Sequence, residues 1–214
     1  MPNKYLILAL ESPLQSWGLQ GQFDLRDTSP MPTKSGIIGI LGSALGVERK
    51  DINKIAELST LHMTVFCTKP GEIITDYHTV GNGYKNRNEN LIDAEGKYKK
   101  TGIVTNRDYL CDAKFMVVLT GKDKLIDSCA IALDNPRWDE FLGRRACIPT
   151  RPILEAVVST KEEVIEILSK FNISEKTQVQ SDGLGGFTQQ DVPVNFSTRK
   201  FNTRTIVEES DFYR

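Results

Sequence analysis

Residues 5–10 are Tyr5-Leu6-Ile7-Leu8-Ala9-Leu10, an apolar run that stops at Glu11. A short continuous run of this kind is typical of a buried β-strand. After a loop with several prolines and glycines, residues 33–47 show helical spacing of their aliphatic side chains. Thr33 is a good N-cap for this helix, and Gly46 is predicted to end it in a left-handed conformation. The chain therefore begins with a buried strand, a loop and a helix.

The elements that follow extend this pattern. We predict a short helix over 51–58, strands over 62–68, 73–80 and 109–119, and a helix over 122–133. Residues 81–105 are rich in Asn, Lys and Gly, which predicts a twisted hairpin or a mobile loop. The order fits an α+β, ferredoxin-like domain, in which two split βαβ halves form an antiparallel sheet backed by two helices. We assign this domain to residues 1–151, with a small β-containing C-terminal extension over 152–214 packed on it.

The composition excludes some classes of protein. With 214 residues and 39% hydrophobic content, the chain can bury one core and a small additional subdomain. A net charge of -1 argues against indiscriminate coating of nucleic acid, although a local basic groove remains compatible with it. No apolar run is long enough for a signal peptide or a membrane span, so we expect a cytoplasmic protein with no membrane partner.

The cysteines do not indicate a metal site. Cys67, Cys111, Cys129 and Cys147 include no C-x-x-C pair, and each lies in an apolar or strand-like context. Closer ligand pairs would be needed to hold zinc. We therefore predict buried, reduced thiols.

The start of the first helix is a candidate phosphate-binding site. Unpaired N–H groups and the helix dipole attract anions there, and Lys34, Ser35 and the small Gly36 would let a phosphate approach. The simpler interpretation is that Thr33 only caps the helix and Lys34 is solvated. The order G-x-x-x-x-G-K-[ST] is absent, so this is not a nucleotide P-loop. The interior glycines Gly39 and Gly42 are attributed to close packing of the helix on the sheet.

Two aromatic motifs have alternative interpretations. Trp17 lies in the loop segment Gln15-Ser16-Trp17-Gly18, and Arg26 follows in the same loop. The Trp17 side chain either stacks on a base or packs against the domain. Tyr77 and His78 are adjacent in a predicted strand. They suit either acid–base cleavage of RNA through a ribose 2′-OH or contact with a splayed base. No second histidine lies nearby in the sequence, which weakens the catalytic interpretation.

An arginine cluster is the strongest nucleic-acid signal in the chain. Residues 137–151 contain Arg137, Arg144, Arg145 and Arg151, with Trp138 among them. Guanidinium groups suit phosphates and base edges better than the lysine ammonium does. Neighbouring acidic residues leave an ion-paired surface as the alternative.

Together these segments resemble the CasD subunit family of type I-E CRISPR Cascade complexes. The matching stretches occur in the order of that family and span most of residues 1–151. They are 5–11, 13–18, 32–42, 45–46, 77–80, 107–113 and 141–147. Beyond residue 151 the similarity is thin.

The resemblance implies a ferredoxin-like, RRM-related domain with a β-hairpin thumb over residues 81–105. It also implies a subunit that holds the 5′ handle of the CRISPR RNA (crRNA) and contacts the CasC backbone subunit and the large CasA subunit. Cutting of the repeat RNA is the task of the separate CasE nuclease in such complexes. We therefore predict no catalytic residue, no metal and no cofactor.

The leading hypothesis is a static RNA clamp. Aromatic side chains would stack on bases, arginines and Lys34 would neutralise phosphates, and the helix start would hold one phosphate. A metal-independent endoribonuclease that processes repeat RNA and an assembly subunit that touches only protein are the alternatives. The predicted RNA-binding residues are Gln15, Trp17, Arg26, Thr33, Lys34, Ser35, Gly36, Tyr77, His78, Arg107, Tyr109, Arg144, Arg145 and Arg151.

Overall fold

The computed structural model describes residues 4–19, 21, 24–81, 91–92, 98–99, 102–173, 177–181 and 186–209. The predicted mixture of helices and antiparallel sheets is confirmed. In chain order the elements are β1 (Lys4–Glu11), β2 (Leu14–Gln15), β3 (Leu25–Arg26), α1 (Lys34–Leu45), α2 (Ile52–Ser59), β4 (His62–Lys69), β5 (Glu72–Val80), β6 (Leu91–Ile92), β7 (Tyr98–Lys99), β8 (Ile103–Cys111), β9 (Lys114–Gly121), α3 (Asp123–Asp134), β10 (Leu154–Val158), α4 (Lys161–Ser169), β11 (Thr177–Ser181), β12 (Phe187–Asn195) and β13 (Lys200–Glu209).

A seven-stranded sheet in the order β10-β1-β9-β4-β11-β13-β12 forms the centre of the molecule, and its neighbouring strands are antiparallel. As predicted, β1 is buried on both faces. Leu6, Leu8 and Leu10 belong to the core beneath α1 and α3, whereas Ile7 and Ala9 pack with residues of α4. The alternation of a strand explains this division, because successive side chains point to opposite faces of the sheet.

The chain after residue 151 continues the same sheet. β10 pairs with β1 at one side, and β11 pairs with β4 before β13 and β12 complete the other side. α4 covers the second face through Val164 and Leu168, which pack with Phe66 and Met116. The division at residue 151 stays a prediction, and the hydrogen-bonded sheet extends across it.

A second sheet, which we call the small sheet, contains β2, β3, β5 and β8. β5 and β8 pair antiparallel along nine residues each, from Glu72↔Cys111 to Val80↔Ile103, and β3 lies parallel to β8. The predicted thumb over 81–105 begins and ends at this pair. Residues 82–90, 93–97 and 100–101 lie outside the described part of the chain, and β6 pairs antiparallel with β7 between them.

The ends of α1 agree with the sequence. The side chain of Thr33 accepts a hydrogen bond from the N–H of Gly36, and Gly46 has φ +69° in the left-handed region. The packing explanation for Gly39 and Gly42 is wrong. A Cβ at Gly39 would meet no heavy atom within 4 Å, and one at Gly42 would meet only the Cβ of Val47 at 3.8 Å.

Gly39→Ala is therefore expected to stabilise the protein by up to about 1 kcal/mol, because alanine has the higher helix propensity and the site is open. The midpoint of urea denaturation measures the change. Gly36→Ala is the matched comparison in the same helix and should destabilise, since its Cβ would lie 2.7 Å from Cε3 of Trp17. Equal effects of the two variants would contradict this account.

The structure also tests the predictions made for the cysteines and for a membrane span. All four cysteines are free thiols, and Cys67, Cys129 and Cys147 are buried, as predicted, whereas Cys111 is only partly buried. Burial raises the pKa of Cys129 to about 12, which keeps it in the unreactive thiol form. In the described ranges, no helix is long and apolar enough to cross a membrane.

Candidate nucleic-acid interface

The small sheet has two chemically different faces. Directly paired residues in a sheet share a face, and successive residues of a strand alternate between faces. The cross-strand pairs Arg26↔Arg107, Asp76↔Arg107 and His78↔Thr105 therefore lie on one side, which Tyr109 also occupies. We call this the basic face, and it also carries Glu72 and the exposed side chains of Ile74 and Val80. The opposite side carries the apolar side chains of Leu25, Ile73, Tyr77 and Val104 together with the polar Thr75, Asn106 and Asp108, and we call it the apolar face.

Arg144 lies over the basic face although it comes from a distant loop. Its Nη1 donates to the carbonyl of Asp108 at 2.7 Å, and its Nη2 donates to the carbonyls of Arg26 at 2.8 Å and Asp27 at 3.3 Å. Its Cζ is 4.7 Å from the centre of the Tyr109 ring. Neutral carbonyls satisfy hydrogen bonds without cancelling charge. Arg144 therefore fixes the loop to the sheet and adds positive charge to this face.

The other polar groups of this face remain partly or fully accessible. Arg26 is exposed. The Nε of Arg107 donates to Oγ1 of Thr105 at 3.0 Å, and Nδ1 of His78 lies 3.8 Å from a carboxylate oxygen of Asp76. Among the described residues of this face, three arginines stand against two carboxylates, Glu72 and Asp76, so the face keeps a net positive charge that suits an anionic polymer.

The acid–base interpretation of Tyr77 and His78 as a pair is wrong for this geometry. Tyr77 pairs with Asn106 and His78 with Thr105, so the two side chains leave opposite faces of the sheet. Tyr77 is 67% exposed on the apolar face. A proton donor and acceptor acting on one ribose would have to lie on the same side.

The structure also corrects the expectation that Trp17 stacks on a base and that Gln15 contacts RNA. Trp17 is fully buried, and its Nε1 donates to Oε1 of Gln15 at 3.0 Å. Gln15 in turn donates from Nε2 to the carbonyl of Ala113 at 2.7 Å. The indole ring also occupies the space beside Gly36. The missing side chain of this glycine therefore makes room for Trp17 and not for a ligand.

The predicted phosphate site at the start of α1 already holds a carboxylate of the protein. The backbone N–H of Lys34 donates to Oδ2 of Asp191 at 2.7 Å, and its Nζ donates to Oε1 of Gln180 at 2.8 Å. Lys34 and Thr33 are buried, and Ser35 donates to Oγ1 of Thr33 at 3.3 Å. The interpretation of Lys34 as a solvated side chain is wrong as well, because it packs against the C-terminal strands.

Among the described residues, Lys34 and the arginine cluster do not line one common concave site. Lys34 lines a cavity with residues of β11 and β13, whereas Arg144 contacts β3 and β8. Arg145 is exposed, and Arg151 forms an ion pair with Glu155. The structure thus brings together Arg26, His78, Arg107, Tyr109 and Arg144, and it places the helix-start residues elsewhere.

A buried ion pair between Asp191 and Arg204 was not predicted from the sequence. Nε and Nη2 of Arg204 donate to the two carboxylate oxygens of Asp191 at 2.8 and 2.9 Å. Pairing in the β12–β13 hairpin shifts between Gln190↔Thr203 and Val192↔Asn202, which leaves Asp191 as the extra residue of a β-bulge. A bulge redirects a side chain, and no local residue pattern marks this one.

Comparison with known proteins identifies the family. The model of the family described as CRISPR-associated protein (Cas_Cas5) matches residues 5–207. The CRISPR system Cascade subunit CasD of Escherichia coli (strain K12) is 30% identical over 219 residues, which cover 94% of each chain.

Solved structures agree with this match. A chain of a CRISPR RNA-guided surveillance complex superposes with a TM-score of 0.78 at 30% identity, covering 96% of this chain and 90% of the other. A structure described as a Cas protein gives a TM-score of 0.69 at 30% identity, with 96% and 93% covered. The chain therefore belongs to the Cas5 family of CRISPR-associated proteins, the family of the Cascade subunit CasD.

Proposed function

We propose that the protein is the crRNA-binding subunit of a type I-E Cascade complex and that it caps the 5′ handle of the guide. Membership of the CasD family supports a place in such a complex. The observation that carries the RNA-binding proposal is the basic face, where Arg26, Arg107 and Arg144 share one side of the small sheet with His78. Single-stranded RNA is bound by phosphate contacts, by stacking and through its 2′-OH groups.

The residues of the basic face would have different roles in RNA binding. Arg26 and Arg107 neutralise phosphates, since Arg26 is exposed and Arg107 is partly accessible. His78 hydrogen-bonds a base edge or a 2′-OH. Tyr109 is buried beneath Arg144 and positions that guanidinium instead of stacking on a base.

The apolar face suits contact with the neighbouring protein subunits, CasC and CasA. Its exposed fractions are 61% for Leu25, 52% for Ile73, 67% for Tyr77 and 37% for Val104. Exposed apolar side chains that lie together are typical of a surface that another protein covers, and these four carry more exposed apolar surface than Ile74 and Val80 on the basic face. RNA on one face and protein on the other would give the small sheet two separate roles.

The central unit would be the ferredoxin-like, RRM-related domain. β1, α1, β4, β9, α3 and β10 follow one another as two βαβ halves, and their strands lie in the order β10-β1-β9-β4. This is the order in which the split halves of that plan interleave. The thumb would be the continuation of the β5–β8 pair over 81–105, and the protein would act in the cytoplasm.

We propose that the subunit does not cut RNA. On the basic face His78 is accompanied by Asp76 and Thr105, and Tyr77 points away from it. Cleavage through the 2′-OH needs a positioned acid and a positioned base on one ribose, and an arginine-rich surface with one histidine is better suited to holding a strand.

The double variant Arg26→Ala/Arg107→Ala is expected to weaken binding of handle RNA about 10- to 100-fold, because two charge-assisted phosphate contacts are lost. The slope of log K against log salt should fall by about 0.7 for each lost contact. Fluorescence anisotropy with a labelled single-stranded handle at several salt concentrations measures both quantities. Arg49→Ala, an exposed arginine between α1 and α2, is the matched control and should leave both unchanged.

Three results would contradict these proposals. An unchanged affinity and salt slope in the double variant would remove the basic face from RNA binding. A defined cut of repeat RNA in EDTA that disappears in His78→Ala would favour the endoribonuclease. An absence of RNA crosslinks to the subunit within the assembled complex would favour a role in protein assembly alone.

A further inference from the structure

The loop that carries Arg144 crosses the segment after β2 at Gly143. Leu142 and Cys147 are fully buried in the core, and the N–H of Leu142 donates to the carbonyl of Cys147 at 2.8 Å. The carbonyl of Leu142 accepts a hydrogen bond from the N–H of Ser16 at 2.9 Å. The backbone is therefore held just before Gly143 and again at the end of the loop.

Gly143 lies where two backbone segments touch. Its φ is +104°, in the region that residues with a Cβ rarely adopt. A Cβ at this position would lie 1.9 Å from the carbonyl oxygen of Ser16, far inside van der Waals contact. Any larger residue would force the loop away from Ser16, and Arg144 would move with the loop.

Arg144 joins this loop to two strands of the small sheet. Its guanidinium donates to the carbonyl of Asp108 in β8 and to the carbonyls of Arg26 and Asp27 at the end of β3. β3 is two residues long and pairs with β8 through Leu25 and Arg26. Because so short a parallel pairing is weak by itself, the hydrogen bonds from Arg144 supply much of what keeps β3 in place.

The side chain of Arg26 depends on that placement. It lies on the basic face only while Arg26 stays in register with Arg107. A slip by one residue would turn Arg26 to the apolar face, because successive side chains of a strand point to opposite faces. Since Arg144 holds the carbonyl of Arg26 itself, this contact fixes the register directly.

We propose that Gly143 is a positioning residue for RNA binding. It allows Arg144 to hold β3 on β8, and this contact keeps the Arg26 side chain on the same face as that of Arg107, where both meet phosphates of the guide. This role rests on the proposed function, since it requires that RNA binds to the basic face. Gly143 acts through Arg144 and Arg26 and not by touching RNA.

Gly143→Ala in the full chain tests this role, with fluorescence anisotropy of labelled handle RNA at several salt concentrations as the measurement. Binding is expected to be about tenfold weaker, and the slope of log K against log salt should fall by about 0.7, because the phosphate contact of Arg26 is lost.

Gly186→Ala is the matched control. Gly186 also has a positive φ, +87°, and its Cβ would lie 2.1 Å from the carbonyl oxygen of Ile206 in the seven-stranded sheet. This variant should lose stability in urea as Gly143→Ala does, and it should bind RNA as the wild type does.

Arg144→Lys tests the same contact without strain in the backbone. Lysine keeps the positive charge, but its single ammonium group cannot bridge the three carbonyls that Arg144 reaches. We expect about the same loss of affinity as in Gly143→Ala. Wild-type affinity in Arg144→Lys would show that only the charge of residue 144 matters, and it would overturn the proposal whether or not Gly143→Ala folds.

A double-mutant cycle separates positioning from other effects. If Gly143 acts through Arg26, adding Arg26→Ala to Gly143→Ala should weaken binding no further. The proposal is overturned if folded Gly143→Ala binds as the wild type does, if Gly186→Ala weakens binding equally, or if Arg26→Ala adds its full effect.

The double variant Arg26→Ala/Arg107→Ala judges the proposed function separately. Weaker binding in that variant, together with wild-type binding in Gly143→Ala, would remove the role of Gly143 and leave RNA binding by the basic face in place. Unchanged binding in the double variant would overturn both.

Discussion

Asp191→Asn is expected to lower the free energy of unfolding by about 3–5 kcal/mol, the largest loss that we foresee for an isosteric change in this protein. Both carboxylate oxygens of Asp191 receive hydrogen bonds from Arg204, and Oδ2 also receives the N–H of Lys34 and Nε2 of Gln189. Asparagine keeps the size of the side chain but removes the charge. The guanidinium of Arg204 then stays buried and ionised, and no other carboxylate among the described residues is paired with it.

Urea denaturation measures this loss. Glu57→Gln is the matched control. This variant breaks the ion pair between Glu57 and Lys54, in which Nζ of Lys54 is 2.8 Å from the carboxylate. Both side chains of the pair are well exposed. Solvent screens that pair, so its loss should cost less than about 1 kcal/mol.

A second change at Arg204 checks the cause. Arg204→Met removes the unpaired charge, so the double variant Asp191→Asn/Arg204→Met should be more stable than Asp191→Asn alone. Two results would mean that the buried charge is not the source of the effect. One is a decrease in the free energy of unfolding below about 1 kcal/mol for Asp191→Asn, and the other is a double variant that is less stable than Asp191→Asn.

Trp17→Ala is expected to destabilise the protein by about 3–5 kcal/mol, because it removes the largest fully buried side chain and leaves a cavity. The indole lies against Gly36 at the start of α1, and its Nε1 bonds with Gln15. Its loss also leaves Oε1 of Gln15 without this donor. The effect should appear as a lower denaturation midpoint with a similar slope.

The second tryptophan of the chain provides the control. Trp138 is 44% exposed, so Trp138→Ala should change the stability by no more than about 0.5 kcal/mol. If the two alanine variants were equally stable, the indole of Trp17 would not be buried as described. RNA binding by Trp17→Ala under native conditions is a further readout, since a buried ring should affect affinity only through folding.

Much of the fold could be predicted from the sequence, since local rules governed it. The apolar run 5–10 is a strand buried on both faces, Thr33 caps α1, and Gly46 ends it. Asp51 caps α2, which begins one residue later than predicted. In each case a side chain of suitable type acts on a backbone next to it in sequence, so spacing alone was informative.

The candidate site could be predicted only in part. Arg26, Arg107 and Arg144 were identified as basic residues, but their common face depends on the register of β3 with β8 and on a loop more than thirty residues away. Gln15, Trp17 and Lys34 have polar or aromatic chemistry that suits RNA equally well. Burial decides whether such a side chain binds RNA or packs inside the protein, and burial depends on the assembled core.

By itself the sequence determined the identity and order of the first helices and strands, the reduced thiols and the family resemblance on residues 1–151. The tertiary structure alone decided that Asp191 neutralises Arg204 and occupies the start of α1, that Trp17 lies inside, and that the arginines gather on the small sheet. The physical reason is distance along the chain. Capping and strand alternation act between neighbours, whereas these contacts depend on strand register, on one β-bulge and on which surfaces the core excludes from water.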